Sequence, residues 1–384
     1  MPALVTIIAG LFAVYLLFWR HPTLRDERKD AKKDGGRIGK AKEGKTIESD
    51  STSALPRISV VIPARNEENN LPLVLADLQS QDFPAYEIIC VDDASEDRTA
   101  EIIETFGVQH ISVEAKPKDW IGKSWACQIG ADKATGDVLL FLDADVRMSV
   151  SALRMLAESY VVNKSVLSVQ PYHSIDRIYE HFSLFFSLVL LAANGLGFPL
   201  WRRNIGLFGP VILVSRKVYL SIDGHCCAKK SIVDDLAIGE TLRKKGIRLE
   251  LFMGGKDISF RMYSGGFRDL CQGWIKNFAT GASKTPIHLI LLIVLWFGGS
   301  TSVVIELIIA VSQGSLSKAG IFLGMYFVWA ISLWLISRKA GNFRAGAFLL
   351  YPVFLVFFFG LFLVSLFKKI FGRTVTWKGR KIKT

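Results

Sequence analysis

Between residues 57 and 285, short apolar runs alternate with longer segments of mixed character, and the alternation predicts strands joined by helices. Ile58–Pro63, Glu87–Val91, Val108–Val113 and Val138–Leu142 read as strands. Asn70–Gln81, Thr99–Phe106 and Ser124–Thr135 read as the helices between them, with Ser95 and Asp97 placed to cap the second. The apolar run Val138–Leu142 suits a strand covered on both faces. Strand and helix in this order make a mostly parallel sheet with crossover helices. Polar residues recur just past the strand ends. That places Arg65, Glu67, Asp93, Asp143 and Asp145 along one edge, where open α/β sheets bind ligands.

The flanks follow a different pattern. Residues 1–19 form an apolar run just long enough to span a bilayer, with no basic segment before it to suggest a cleaved signal. Ile287–Val311, Ala319–Ile336 and Ala345–Phe367 are three further candidate spans within residues 286–367, the first carrying Glu306. Residues 20–56 are polar and mostly basic and read as a flexible linker. Its Lys/Arg excess places that side, and the domain at 57–285, in the cytosol. The tail, 368–384, is strongly basic as well. Three complete spans would carry it outside, whereas the positive-inside rule keeps it in the cytosol. The second placement is adopted, with Pro352 and Gly360 making the last segment the easiest to bend. Tyr179–Leu200 is rich in Phe and Leu but interrupted by Asn194, Gly195 and Gly197, so it reads as lying on a membrane, covering a cleft or forming a core helix. Phe267–Phe278, with Arg268, Trp274 and Lys276, reads as an interfacial helix.

The net charge of +12 raises nucleic acid as a partner. The basic residues cluster beside apolar spans, where anionic headgroups explain them, and no nucleic-acid-binding motif is present. Five cysteines, two of them adjacent and none in Cys-x-x-Cys spacing, read as reduced cytosolic thiols. Neither a Gly-x-Gly-x-x-Gly turn nor a P-loop follows the first strand, which removes the common dinucleotide and NTPase readings.

The chemistry then falls to acids and a lysine. Asp143 and Asp145 alternate at a strand end and can converge, and two hard oxygen ligands suit Mg²⁺ or Mn²⁺ carrying a diphosphate. Lys123 sits at a helix start, where the dipole also favours anions. Asp234-Asp235 opens a helix running to about Lys245. Capping and general-base roles are both open there, and they can coexist as Asp234 capping and Asp235 facing a cleft.

Taken in order, Val60-Val61-Ile62-Pro63-Ala64-Arg65-Asn66-Glu67, Val91-Asp92-Asp93-Ala94-Ser95, Gly122-Lys123-Ser124, Asp143-Ala144-Asp145 and Asp234-Asp235-Leu236 resemble the family 2 glycosyltransferases. The resemblance implies a GT-A fold, a Rossmann-like mostly parallel sheet, here with flanking transmembrane helices. It also implies that Pro63, Arg65, Glu67 and Asp93 line a nucleoside pocket, that Asp143 lies near the ribose, that Asp145 ligates the metal and that Asp235 is the base of an inverting enzyme. A narrower likeness is carried by Ser168-Val169-Gln170-Pro171-Tyr172-His173, Phe208-Gly209-Pro210, Phe260-Arg261-Met262-Tyr263, Gly273-Trp274-Ile275-Lys276 and Val375-Thr376-Trp377-Lys378-Gly379-Arg380. These resemble the glycosyltransferases of carotenoid acids such as diaponeurosporenoate.

That likeness implies a UDP-sugar donor, with glucose as the sugar, and a long polyene acid as acceptor. Gln170, Tyr172, His173, Asp234 and Trp274 are placed on the acceptor side. The Gln-x-x-Arg-Trp motif of polysaccharide synthases is absent, Gly273 standing where its Arg would be, which argues against processive synthesis. The alternatives are transfer to another lipid hydroxyl or a polyprenyl phosphate, and an inactive transferase-like membrane scaffold.

Overall fold

The computed structural model describes residues 2–26, 55–199, 205–231, 233–282, 284–371, 374–377 and 380–383. They fall into two compact units. One comprises Pro22–Pro171 and Gly206–Phe260; the other comprises Met1–His21, Tyr172–Ile205 and Arg261–Thr384. The domain expected to run unbroken over 57–285 is therefore divided: residues 172–205 and 261–285 group with the apolar helices. Most of the expected linker, 27–54, lies outside the described residues.

The first unit is an α/β domain. In chain order it contains β1 (Ile58–Ala64), α1 (Leu71–Gln79), β2 (Glu87–Asp92), α2 (Thr99–Thr105), β3 (Gln109–Ser112), α3 (Gly122–Lys133), β4 (Val138–Leu142) and β5 (Val146–Met148). It continues with α4 (Ala152–Asn163), β6 (Val166–Gln170), β7 (Val211–Ser215), α5 (Arg216–Ser221), α6 (Asp234–Lys244), β8 (Leu249–Met253) and β9 (Ile258–Phe260). Seven strands make one sheet in the order β3-β2-β1-β4-β7-β6-β8. The pairs β2–β3, β1–β2, β1–β4 and β6–β8 are parallel, while β7 runs against both of its neighbours. Every residue of β4 is buried, as its apolar run requires. The strand order reverses direction of growth at β1/β4, the place where such sheets bind ligands beyond the strand ends.

One sequence expectation is adjusted locally. Helix α2 has Arg98 as its N-cap and no side-chain cap bond. Asp97 instead accepts from the Thr99 amide at 3.0 Å and, with its other oxygen, from the Glu68 amide at 3.1 Å. The residue expected to cap the helix thus also ties the loop after β1 to the loop after β2.

The second unit is helical. Ile287–Ser312, Leu316–Ala340 and Ala345–Ile370 are each long and apolar enough to cross a membrane, matching the three segments expected there. The N-terminal helix, Pro2–Leu17, has 16 residues. At 1.5 Å per residue it reaches about 24 Å, short of the ~30 Å hydrocarbon core, so the expected full span is not met by the helix alone. It packs along Ile287–Ser312, and a β-carbon on Gly10 would come within 2.9 Å of Gly299 Cα. Glycine at both positions permits that close approach. Glu306 in the same long helix is half-buried.

Within this unit the Phe/Leu-rich segment forms a short 3₁₀ turn, Ile178–Ser183, and a helix, Leu184–Asn194. Phe185, Phe186, Leu188 and Ala192 are fully buried, so of the readings open to it the core helix is the one observed. The described parts of the tail, Thr374–Trp377 and Arg380–Lys383, pair as an antiparallel hairpin.

Candidate active site

The strand β4 delivers Asp143 to the sheet edge, and helix α3 delivers Lys123 in its first turn. The two meet there. Lys123 Nζ lies 2.6 Å from Asp143 Oδ1 and 2.8 Å from Oδ2. Desolvation pulls the ammonium's pKa down, but the carboxylates of Asp143 and Asp234 outweigh it and hold the lysine charged. The Asp143 amide donates to Pro210 O at 2.9 Å, which extends the β4–β7 pairing by one bond and fixes the loop 206–210 beside the acid.

That loop has a second anchor. Ser168 on β6 is fully buried; its Oγ donates to Phe208 O at 2.9 Å and accepts from the Phe208 amide at 2.7 Å. With Phe208 and Pro210 both held, Gly209 lies directly under Asp235. A β-carbon on Gly209 would fall 3.0 Å from Asp235 Oδ2. The helix α6 begins at Asp234, and its capping residue is Val233, with no side-chain bond. The acid pair nevertheless satisfies the first turn. Asp234 Oδ1 accepts from the Asp235 amide at 3.1 Å, and Asp235 Oδ1 accepts from the Leu236 amide at 2.8 Å. Asp234 is further held by the buried Ser124 hydroxyl, 3.0 Å from its Oδ2. Desolvation first, then the adjacent Asp234 charge, push Asp235 up to about 7, against Lys123 and the Leu236 and Gly209 amides.

Pro63, Lys123, Asp143, Gly209, Asp234 and Asp235 line one small cleft. Cys127 and His225 line it too. All five cysteines are free, and burial raises the Cys127 thiol well above its ordinary pKa and Cys90 to about 12, as inert reduced thiols require.

The remaining predicted edge residues form a connected rim. Arg65 Nη1 donates to the carbonyls of Asp93 at 2.6 Å and Ala94 at 2.7 Å. The turns that allow this contain Asn66 and Ala94, both at φ 52°. The Glu67 amide donates to Thr99 Oγ1, and Glu67 Oε2 accepts from Asn70. Asp93 is buried, and its amide donates to Ala64 O across the end of β1.

Asp145 stands on the turn between β4 and β5 and is half-buried. Among the described residues, no three His, Cys, Asp or Glu side chains converge as a closed metal cage. One or two carboxylates still fit a divalent cation whose shell is completed by diphosphate and water. Lys123 engages both oxygens of Asp143.

The acceptor-side expectations divide. Asp234 lines the cleft. Gln170 ends β6, and its carbonyl accepts from the Gly254 amide. Tyr172, His173 and Trp274 belong to the helical unit. Trp274 is 4% exposed, stacked on Phe186 at 4.8 Å with its indole N–H given to Ser183. His173 is 1% exposed and edge-on to Phe343. Neither has an open ring face with which to meet an acceptor, because aromatic neighbours in the helical core cover them. Ser124 and Ser168 stand in motifs that carry the resemblance but had no role assigned from sequence, and His225 was not singled out; Asp234, Phe208 and Gln128, which hold them, lie 110, 40 and 97 residues away in the chain.

A mostly parallel sheet with an acid-and-lysine cleft past β1 and β4 defines a GT-A glycosyltransferase domain. Residues 59–205 match the family model described as Glycosyl transferase family 2. The 4,4'-diaponeurosporenoate glycosyltransferase of Staphylococcus haemolyticus (strain JCSC1435) is 34% identical over 351 residues, covering 89% of this chain and 90% of the relative. The enzyme of that name from Staphylococcus aureus (strain MRSA252) is 32% identical over 331 residues, covering 84% and 88%. Among solved structures, the mannosyltransferase PcManGT from Pyrobaculum calidifontis, in complex with GDP-Man and Mn²⁺, has a TM-score of 0.53 at 16% identity, covering 94% of this chain and 97% of that one. The chain belongs to glycosyl transferase family 2.

Proposed function

We propose that the protein is a membrane-bound, inverting glycosyltransferase that moves a sugar, glucose, from a UDP-sugar to a carotenoid acid of the diaponeurosporenoate kind. The observation that carries the reading is the meeting of the Lys123–Asp143 pair and Asp235 in one cleft. The acceptor is supported by the printed names of relatives that align over most of the chain. A membrane location suits three apolar helices, and the basic flank after residue 19 supports a cytosolic catalytic domain.

The acceptor oxygen forms a bond to the sugar's anomeric carbon as the bond from that carbon to the diphosphate breaks. UDP leaves with the electron pair, and the configuration inverts. Mg²⁺ or Mn²⁺, held mainly by Asp145 with Asp143 beside it, would supply positive charge against the leaving diphosphate. Lys123 directs a fixed charge to the same place. Pro63, Arg65, Glu67 and Asp93 form the nucleoside rim, and the loop anchored by Ser168 keeps Asp235 in position.

The role of Asp235 depends on the acceptor. A hydroxyl must lose a proton, and a carboxyl group raised to about 7 is well matched to take it. A carboxylic acid acceptor, with an ordinary pKa of about 4, has no proton left to remove. A neutral Asp235 then keeps a like charge out of the acceptor's path. Transfer to a lipid hydroxyl is the second reading, and the raised Asp235 is what favours it. An inactive scaffold is disfavoured by the presence of Asp143, Asp145 and Asp235 together. Membranes containing the protein, given a UDP-sugar and a panel of lipid acceptors, should release UDP and form a glycosylated carotenoid acid; absence of UDP release would remove the enzyme reading.

A further inference from the structure

The stretch read from sequence as a flexible linker begins with a docked segment. Residues 22–26 belong to the α/β unit. Pro22 O accepts from the Met253 amide at 2.8 Å, and Thr23 bridges Met253 in the parallel sense, so the chain covers part of the edge strand β8. Leu24 is buried. The Thr23 hydroxyl donates to Asp26 Oδ2 at 2.6 Å and accepts from the Asp26 amide at 3.2 Å, which closes the segment on itself. Arg25 then reaches Asp257, with Nε 2.5 Å from Oδ2 and Nη2 2.6 Å from Oδ1. Asp257 is 5% exposed and the Arg25 side chain 62%, so a cation at the surface satisfies a buried carboxylate from two sides.

Asp257 closes one end of a ribbon whose other end carries Asp145. Ser149 donates its amide to Asp257 O at 2.7 Å and its hydroxyl to Asp257 Oδ1 at 3.1 Å. From there β5 and β9 pair antiparallel, Met148 with Ile258, Arg147 with Ser259 and Val146 with Phe260. Asp145 is the next residue, on the turn closed by the Val146 amide donating to Asp143 O at 3.2 Å. The two ends are three paired residues apart, about 10 Å at the rise of a strand. Asp77 on α1 also holds β5, accepting from Arg147 Nε at 2.6 Å and from the Met148 amide at 3.0 Å. Asp77 grips β5 alone, whereas Asp257 leads into β9 and joins the two strands. We propose that Arg25 is a positioning residue of the metal–diphosphate site: through Asp257 and Ser149 it fixes the β5/β9 ribbon, and the ribbon fixes the turn that presents Asp145. The inference rests on the metal reading of Asp145 and deepens it. A carboxylate must meet such a cation at about 2.0–2.2 Å, so a turn free to wander by about 0.5 Å loses affinity. The segment that follows the N-terminal helix thereby becomes part of the support of the site.

The test is Mn²⁺ binding to the full-length protein in detergent with UDP present, read as loss of the free-Mn²⁺ electron paramagnetic resonance signal, beside a thermal melt. Losing a group that directly orients a metal ligand costs about 10–100-fold in affinity; relayed through the ribbon, Arg25→Ala should raise the Mn²⁺ Kd by about three- to tenfold. Arg25→Lys, which keeps the charge but not the two-point grip, should fall between that variant and the unaltered protein. Arg25→Ala also leaves the Asp257 carboxylate buried without its cation, which lowers stability. Arg25→Ala/Asp257→Asn removes that charge, so the melting temperature should recover while the Kd stays raised. Ser149→Ala removes one bond of the link and should raise the Kd in the same sense; it carries the test if Arg25→Ala fails to fold. A Kd unchanged in Arg25→Ala and Ser149→Ala, with only the melting temperature lowered, overturns the role and leaves the metal reading standing. A double variant that regains affinity together with stability overturns it too. Asp145→Ala should lose Mn²⁺ binding; equal binding by that variant and the unaltered protein, or none by either, overturns the metal reading and this role with it.

Discussion

Gly209 lies so close beneath Asp235 that a β-carbon there would sit 3.0 Å from the carboxylate Oδ2. Asp235 cannot easily give way, because its other oxygen accepts from the Leu236 amide. Gly209→Ala should therefore displace the carboxylate while leaving the sheet intact. The expected result is about a tenfold loss of turnover, equivalent to ~1.4 kcal/mol of barrier. Initial rates beside a thermal melt check it: the rate falls and the melting temperature barely moves.

Ser168 controls the same loop from a distance. Ser168→Ala removes the partner of both the carbonyl and the amide of Phe208. In a buried setting the loss should amount to about 1–3 kcal/mol of stability. Chemical denaturation of the detergent-solubilised protein measures this, and activity should fall further than the stability change alone accounts for, because Gly209 moves with Phe208.

Lys123→Met separates two effects. The pair with Asp143 is partly exposed, the lysine side chain 40% and the aspartate 26%, so its stability contribution should stay below about 1 kcal/mol. Loss of fixed charge opposite the leaving diphosphate should cost turnover about a hundredfold. Steady-state kinetics with UDP-sugar, set against an unchanged melt, would show the separation.

The pH dependence carries a sign that distinguishes the acceptors. Asp235 is raised from the ordinary carboxyl range to about 7. If it serves as base to a hydroxyl, the rate rises as pH increases through about 7 and the limb vanishes in Asp235→Asn. If the acceptor is a carboxylate, ionising Asp235 adds a like charge beside it, so the rate falls across the same window and Asp235→Asn retains substantial activity. Folding shows the matching sign: a carboxyl that binds its proton more tightly when folded loses stability between about pH 4 and 7 as pH rises.

Much of the α/β unit was legible because its signals are local. The strand β4 and the acids after it follow from one apolar run, and α6 begins at the acid pair as its sequence suggests. What escaped depended on contacts between distant segments. Ser168 and Phe208 are 40 residues apart, and nothing in either stretch alone shows that one serine satisfies the other's amide and carbonyl. His225 reads as an ordinary turn residue until Tyr219, Gln128 and Phe141 surround it. Trp274 suggested an interfacial ring because Trp near Lys and Arg is common at membrane surfaces. Phe186 and Ser183 bury it instead, and that burial depends on a helix some 90 residues earlier.

The central claim is sugar transfer from a UDP-sugar to a carotenoid acid at the Asp143–Asp235 cleft. Mass spectrometry of lipids extracted after incubating membranes with UDP-glucose and diaponeurosporenoate tests it most directly. The predicted result is the acid carrying one added hexosyl group, formed by the unaltered protein and not by Asp145→Ala. An unmodified acid in both samples, or equal product from both, would contradict the account.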